Sequence, residues 1–289
     1  MSGRPIARRS RTPLPGRRTK PVRRASAGLS TVRAGAALAM LVSAAAIYGV
    51  GASSAFAYST LQVDGVRFTD PQAVEAALAE ARGTNLFRLA TNPLRTVLET
   101  IPTVAAARIQ VRLPGTLAVT IDERQPIAIW AVADERFLVD GSGLLFERLS
   151  GETGEEAALP VIIDRRAASV GLSVGLSLDA VDLDAATRLA SLTPADVGSA
   201  AASLVVVVGD ENGFVVNAQP DGWSAVFGFY TPSLRSTELI PGQVRLLRSL
   251  LFERELTVER VILASETDGT YIPRSTPPPA ETPGPSKAP

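Results

Sequence analysis

The 289-residue chain contains no cysteine and no histidine. The first absence excludes disulfides and thiolate chemistry, the second excludes imidazole bases, and together they remove Cys/His metal sites. Lysine is nearly absent too, with Lys20 and Lys287 confined to the two tails. These gaps bear on one motif: Gly171, Leu172, Ser173, Val174 and Gly175 spell the G-x-S-x-G of a nucleophile elbow. A serine nucleophile needs a base, and neither a Ser-His-Asp triad nor a Ser-Lys dyad can be assembled, so the segment reads as a Gly/Ser-rich loop. Two carboxylates alone can support glycoside hydrolysis, but none stands in a segment that reads as a pocket. Asp179, Asp182 and Asp184 lack the Gly and the terminal Glu of a calcium loop. Asp184 is expected to cap a helix beginning at Ala185, and Glu152, Glu155 and Glu156 to be solvated. No catalytic residue, cofactor or metal is expected, and the chain does not read as an enzyme.

Negative charge is missing from the first part of the chain. Ten cations (Arg4, Arg8, Arg9, Arg11, Arg17, Arg18, Lys20, Arg23, Arg24 and Arg33) precede an uncharged stretch that runs from Ala34 to Val63, and the first carboxylate is Asp64. Removing those ten from the 29 cations leaves 19 against 29 carboxylates, so the neutral total hides a basic tail and an acidic remainder. The basic tail, residues 1–33, suits the anionic lipid of an inner leaflet, while the acidic remainder argues against nucleic acid as a partner. Residues 34–57 are long enough to cross a hydrocarbon core of about 30 Å at about 1.5 Å per residue, with the N-terminus cytoplasmic by the positive-inside rule. Ala55, Phe56 and Ala57 also form an A-x-A cleavage signature. A retained anchor is expected; the alternative is a secreted enzyme or binding protein released after Ala57. Either way the rest faces outward, stabilised by its core without cross-links.

Beyond the apolar stretch, Leu61 to Val66 reads as a strand. Asp70 and Pro71 start a helix with Val74, Leu78 and Ala81 on one face, ended by Gly83. Asn92 and Pro93 start a second helix carrying Leu94, Val97, Leu98 and Ile101, closed by Pro102. Ala107, Ile109, Val111 and Leu113, then Leu117, Val119 and Ile121, alternate across a Pro114-Gly115 turn as a hairpin with all seven on one face. The order β-α-α-β-β over residues 58–126 is that of a POTRA domain.

The stretch Leu113 to Ala128, with Asp122, Glu123, Arg124, Gln125 and Pro126 at its centre, resembles the interdomain junction of the FtsQ/DivIB family of bacterial division proteins. Val63, Asp64, Gly65 and Val66, with Asn85, Leu86 and Phe87, resemble that family's first strand and inter-helix loop. Phe137 to Gly141 and Gly143 are similar to the hairpin that opens its second domain. The resemblance implies a single-pass, non-enzymatic division protein enriched at the septum. A POTRA-type chaperone for secreted polypeptides is the third reading.

Residues 127–273 read as a mixed, β-rich second domain. Strands are expected at Ile127–Val132, Phe137–Val139, Leu144–Phe146, Leu159–Ile163, Leu204–Val208, Phe214–Ala218 and Trp223–Phe229, with Trp130 and Trp223 in the core. A helix is expected from Leu239 to Phe252, followed by an edge strand. The fold class is therefore α+β: one transmembrane helix, a POTRA domain and this second domain, followed by a Pro-rich tail over 274–289. The family resemblance implies that the last strand and its turn, about Val261 to Ile272, bind coiled-coil membrane partners of the FtsB/DivIC and FtsL type. Candidate contacts are Val261, Leu263, Ser265, Glu266, Gly269, Tyr271 and Ile272. Main-chain pairing at an open sheet edge is the physical mode. Where many relatives carry an Asp in this strand, this chain reads Val261, Ile262, Leu263, Ala264, Ser265.

Overall fold

The computed structural model describes residues 31–151, 155–233 and 235–275. Most of the basic tail, most of the Pro-rich tail and Glu152 therefore lie outside the described residues. Helix α1 (Thr31–Ala52) has 22 residues, buries none of its side chains and is long and apolar enough to cross a bilayer. At about 1.5 Å per residue it is about 33 Å long.

The next element begins within the A-x-A segment. Ala57 bridges to Asn85, the Leu86 N–H donates to the Phe56 carbonyl (2.8 Å), and the Tyr58 N–H donates to the Thr84 carbonyl (2.9 Å). Strand β1 (Thr60–Asp64), helices α2 (Pro71–Ala77) and α3 (Thr91–Leu98), and strands β2 (Val104–Arg112) and β3 (Thr116–Glu123) follow. Their order is β-α-α-β-β, and the sheet runs β1-β3-β2, with β1 parallel to β3 and the hairpin antiparallel. Asp70 caps α2 by accepting from the Gln72 N–H at 2.9 Å, and Pro71 occupies the first turn, where its missing N–H costs nothing. Val74, Leu78 and Leu98 from the helical layer meet Leu117, Val119 and Ile121 from the sheet. The expected hairpin face is only partly covered: Val111 and Leu113 run beyond the helices and are exposed.

The second sheet has nine strands, β4 (Pro126–Val132), β5 (Glu135–Asp140), β6 (Leu145–Arg148), β7 (Val161–Asp164), β8 (Ser203–Gly209), β9 (Gly213–Gln219), β10 (Ser224–Gly228), β11 (Val258–Leu263) and β12 (Gly269–Pro273). Their spatial order is β12-β11-β10-β9-β8-β7-β4-β5-β6. Helices α4 (Ala180–Ala190) and α5 (Ile240–Leu251) cover one face. Under them lies the main core, with Trp130, Phe137, Phe214, Trp223, Phe227 and Leu247 among its members. The Asp140-Gly141-Ser142-Gly143 turn is held by Asp140, whose Oδ1 accepts from the N–H groups of Ser142 (2.9 Å) and Leu144 (3.0 Å). Gly143 supplies the positive φ of +89° that this turn needs.

The two sheets are joined within one compact unit. The Glu123 carboxylate accepts from the N–H groups of Phe68 (2.9 Å) and Thr69 (2.6 Å), and Arg124 pairs with Asp140 at 2.7 Å while its Nε donates to the Pro102 carbonyl. Burial opposes ionisation of both carboxyls. Hydrogen bonds outweigh it at Glu123, from the N–H groups of Arg67, Phe68 and Thr69 and the Thr69 hydroxyl, and at Asp140, from Ser142, Arg124 and the Leu144 N–H. Both therefore sit below the ordinary carboxylate range.

Two local expectations are corrected. The helix expected to begin after Asp184 begins five residues earlier, after Asp179, which accepts from Val181 and Asp182 N–H groups; Asp184 lies inside α4, paired with Arg188. Glu156, expected in solvent, is buried and paired with Arg67 from the first domain. The Gly171–Gly175 segment is a loop, with both glycines at positive φ.

Candidate partner-binding edge

The surface of interest is built from the end of α5, strands β11 and β12 and the turn between them. Strand β11 lies parallel to β10, and β12 pairs antiparallel with β11 through Arg260–Ile272, Val261–Tyr271, Ile262–Thr270 and Leu263–Gly269. On its other side β12 pairs with no strand among the described residues, so it ends the sheet. A terminal strand presents a row of unused N–H and C=O groups.

The seven candidate contacts divide by what each side chain touches. Val261 and Leu263 are fully buried under α5 and belong to the core. Ser265 builds the turn: its Oγ accepts from the Thr267 N–H (3.2 Å) and the Asp268 N–H (2.9 Å), while the Ala264 and Ser265 N–H groups reach the Asp268 carbonyl. Glu266 folds against α5 at Gly242, where any Cβ would lie within 2.6 Å of the Glu266 side chain. Gly269 lies over Leu246 and Leu250, so it too contributes packing. Tyr271 and Ile272 are exposed, at 37% and 44%, and they occupy opposite faces of β12. The Arg254 guanidinium lies 5.7 Å from the Tyr271 ring centroid, a cation–π distance.

Sequence reasoning missed the neighbours of this edge. Phe252 and Leu256, exposed at 70% and 87%, flank Arg254 just after α5. Their signal was available: Phe252 falls one residue past the Val244, Leu247, Leu251 stripe, so it cannot face the core with them. It also missed the plug that holds the hairpin. Where β10 and β11 end, the fully buried Gln243 donates through Nε2 to the carbonyls of Phe227 (3.3 Å) and Leu263 (3.2 Å) and accepts from the Tyr230 hydroxyl at 2.7 Å. Arg235 donates to the same two carbonyls at 2.7 and 2.6 Å. Burial pushes the Tyr230 hydroxyl well above the usual tyrosine range, which keeps it a neutral donor.

This arrangement places a rigidly backed, open strand at the end of a large sheet, on a chain that carries a small β-α-α-β-β domain and one apolar helix. Residues 56–124 match the family description "POTRA domain, FtsQ-type". Similar proteins named "Cell division protein FtsQ" come from Chloroflexus aurantiacus, 27% identical over 85% of this chain and 80% of the relative, and Syntrophotalea carbinolica, 35% identical over 60% of this chain and 61% of the relative. The protein of that name from Mycobacteroides abscessus is 34% identical over 37% of this chain and 36% of its own. The second and third matches thus span less than two thirds of those relatives. The architecture is that of a POTRA-bearing protein with one candidate membrane helix. The chain is similar, over most of its length, to members of the FtsQ/DivIB family of bacterial cell-division proteins.

Proposed function

We propose that this protein is a non-enzymatic, single-pass scaffold of the division septum. Its basic tail stays cytoplasmic against anionic lipid, and residues 58–273 face outward as a POTRA domain and a β domain. Partners of the FtsB/DivIC and FtsL type join at the β11–β12 hairpin, adding a strand to β12 and packing against Tyr271 and Ile272. The observation that carries this reading is the unpaired outer side of β12, backed by a fully buried Val261 and Leu263 that keep it from moving. The missing histidine and cysteine support a role without chemistry.

The test is co-purification of the full chain with its FtsB/DivIC-type partner. Tyr271→Glu is expected to weaken capture by about tenfold or more, corresponding to about 1.4 kcal/mol, with the melting temperature unchanged. Equal capture by the folded variant overturns the surface. An even envelope distribution of a fluorescent fusion, without midcell enrichment, overturns the septal role.

Cleavage after Ala57 would instead release a secreted protein. The folded state supports retention, because Ala57 sits in a bridge to Asn85, the Phe56 ring packs edge-on against Phe87 at 5.2 Å, and Tyr58 is buried. Mass spectrometry of the mature chain separates the two: a start at Tyr58 would remove the anchor.

A further inference from the structure

The two ends of the first domain meet different surroundings. At one end Arg124 ties it to the second sheet through Asp140, and Phe68 packs edge-on against Phe146. Strand β3 runs from there back to Thr116, and at this other end three chain segments meet. The segment that follows α1 passes between the other two. It joins the inter-helix loop through Leu86 N–H to the Phe56 carbonyl (2.8 Å) and Tyr58 N–H to the Thr84 carbonyl (2.9 Å), and the hairpin turn through Ser59 and Thr60 N–H groups to the Gly115 carbonyl (2.9 and 3.1 Å). Phe87 from the loop and Leu113 from the turn are 55% and 54% exposed, and the half-buried Phe56 sets its ring edge-on to Phe87. Phe87 is held outward by a fixed backbone: its N–H donates to Asn85 Oδ1 at 2.9 Å, Asn85 bridges to Ala57, and the adjacent Leu86 is buried. Residues 53–59, 83–90 and 112–116 contain Arg88 and Arg112 and no carboxylate; the nearest in sequence is Glu80, on the turn before Gly83.

The same end receives the chain from α1. Phe56 follows Ala52 by four residues, and at no more than about 3.6 Å per residue it stays within about 14 Å of the helix end. The polar zone of a bilayer outside its hydrocarbon core is about 5–8 Å deep on each side. With α1 across a bilayer, this tether is too short to carry Phe56 far from the lipid surface. Half-exposed phenyl and isobutyl groups gain by leaving water for the acyl boundary, and an exposed arginine beside them can keep its guanidinium among the lipid phosphates. An end without carboxylates in these segments meets no repulsion from anionic headgroups. Lipid is the occupant that the covalent link keeps always within reach.

We propose that Phe56, Phe87 and Leu113 form a tip that seats in the outer leaflet beside the anchor, with Arg88 on the lipid phosphates, and so fixes the tilt of the first domain on the membrane. This rests on the reading of α1 as a retained anchor and involves neither β11 nor β12. Because the chain has no cysteine, Thr84→Cys and Asp134→Cys each create a single site for a nitrobenzoxadiazole label, the first exposed beside the tip and the second exposed on the β4–β5 turn of the second domain. The labelled full chain is placed in phosphatidylcholine/phosphatidylglycerol nanodiscs with and without 5-doxyl phosphatidylcholine, which quenches labels near the acyl boundary. Quenching at position 84 is expected to exceed that at 134 by about threefold or more, and F87Q/L113Q, with an unchanged melting temperature, is expected to lower it to the level at 134. If the double variant lowers the melting temperature, Leu113→Gln alone should reduce quenching at 84 by about half. Equal quenching at the two positions, or quenching at 84 that survives the variant, overturns the tip while the anchor stands, and leaves these side chains to a protein partner. A chain that separates from the nanodiscs on size exclusion overturns the anchor and the tip together.

Discussion

The two sheets use their surfaces differently. The three-stranded sheet is small and sets its covered face under two helices, whereas the nine-stranded sheet ends in β12, whose outer side pairs with no strand among the described residues. Both have well-filled cores. The difference teaches that stability and partner binding reside at separable positions in the second sheet: Val261 holds the fold, and its cross-strand neighbour Tyr271 meets solvent.

Breaking the core should show the largest effect. Trp130 is fully buried in the main core of the second domain, and its Nε1 donates to Asp164 at 3.1 Å. Trp130→Ala is expected to cost about 3–5 kcal/mol of unfolding free energy, measured by denaturant titration of the detergent-solubilised chain. A loss below about 1 kcal/mol would mean the core tolerates the cavity and would blur the comparison.

Acid should act next, and unevenly. Asp164 is buried and held below the ordinary range; burial opposes this, but Arg166 and the Ser169 hydroxyl outweigh it. Because its folded value lies below its unfolded value of about 4, its contribution is present above that pH and is lost as pH falls through the folded value. Glu123, Asp140, Asp184 and Glu255 are lowered in the same direction. The melting temperature should therefore be flat near neutrality and fall from about pH 5 downward. Asp164→Asn should be less stable at pH 7 and lose less between pH 7 and 4; an unchanged slope would remove Asp164 from the account.

The joint between the sheets should yield a smaller effect. Glu123→Gln keeps the shape but withdraws the charge from the backbone N–H donors of Arg67, Phe68 and Thr69, and is expected to cost about 1–2 kcal/mol. Its sharper readout is faster amide exchange at Phe68 and Thr69 with β12 unaffected. Acceleration at β12 as well would show that the two regions are not independent.

The first domain was legible because its signals are local. Asp70 with Pro71, and the period of two on either side of Pro114-Gly115, specify elements adjacent in sequence. The strands of the second domain were legible too, but their order was not. β4 pairs with β7, β7 with β8 and β10 with β11 in parallel, and parallel partners are brought together by long crossovers that leave no local mark. The start of α4 was misplaced because Asp179 and Asp184 offer the same capping chemistry, and only the packing of Leu183 selects the earlier one. Glu156 looked solvated because its partner, Arg67, lies 89 residues away. Among the candidate contacts, Tyr271 and Ile272 were readable as side chains beside Gly269 and Pro273 with little core to join. The seating of Glu266 against α5 was not readable, since it depends on the bare Gly242 backbone of that helix.

The most direct test of the open edge is amide exchange on the full chain, with and without the proposed FtsB/DivIC-type partner. Strand addition predicts new protection of β12 between Thr270 and Ile272, with the already buried β11 unchanged. A saturated complex in which those amides exchange as fast as in the free chain would contradict it.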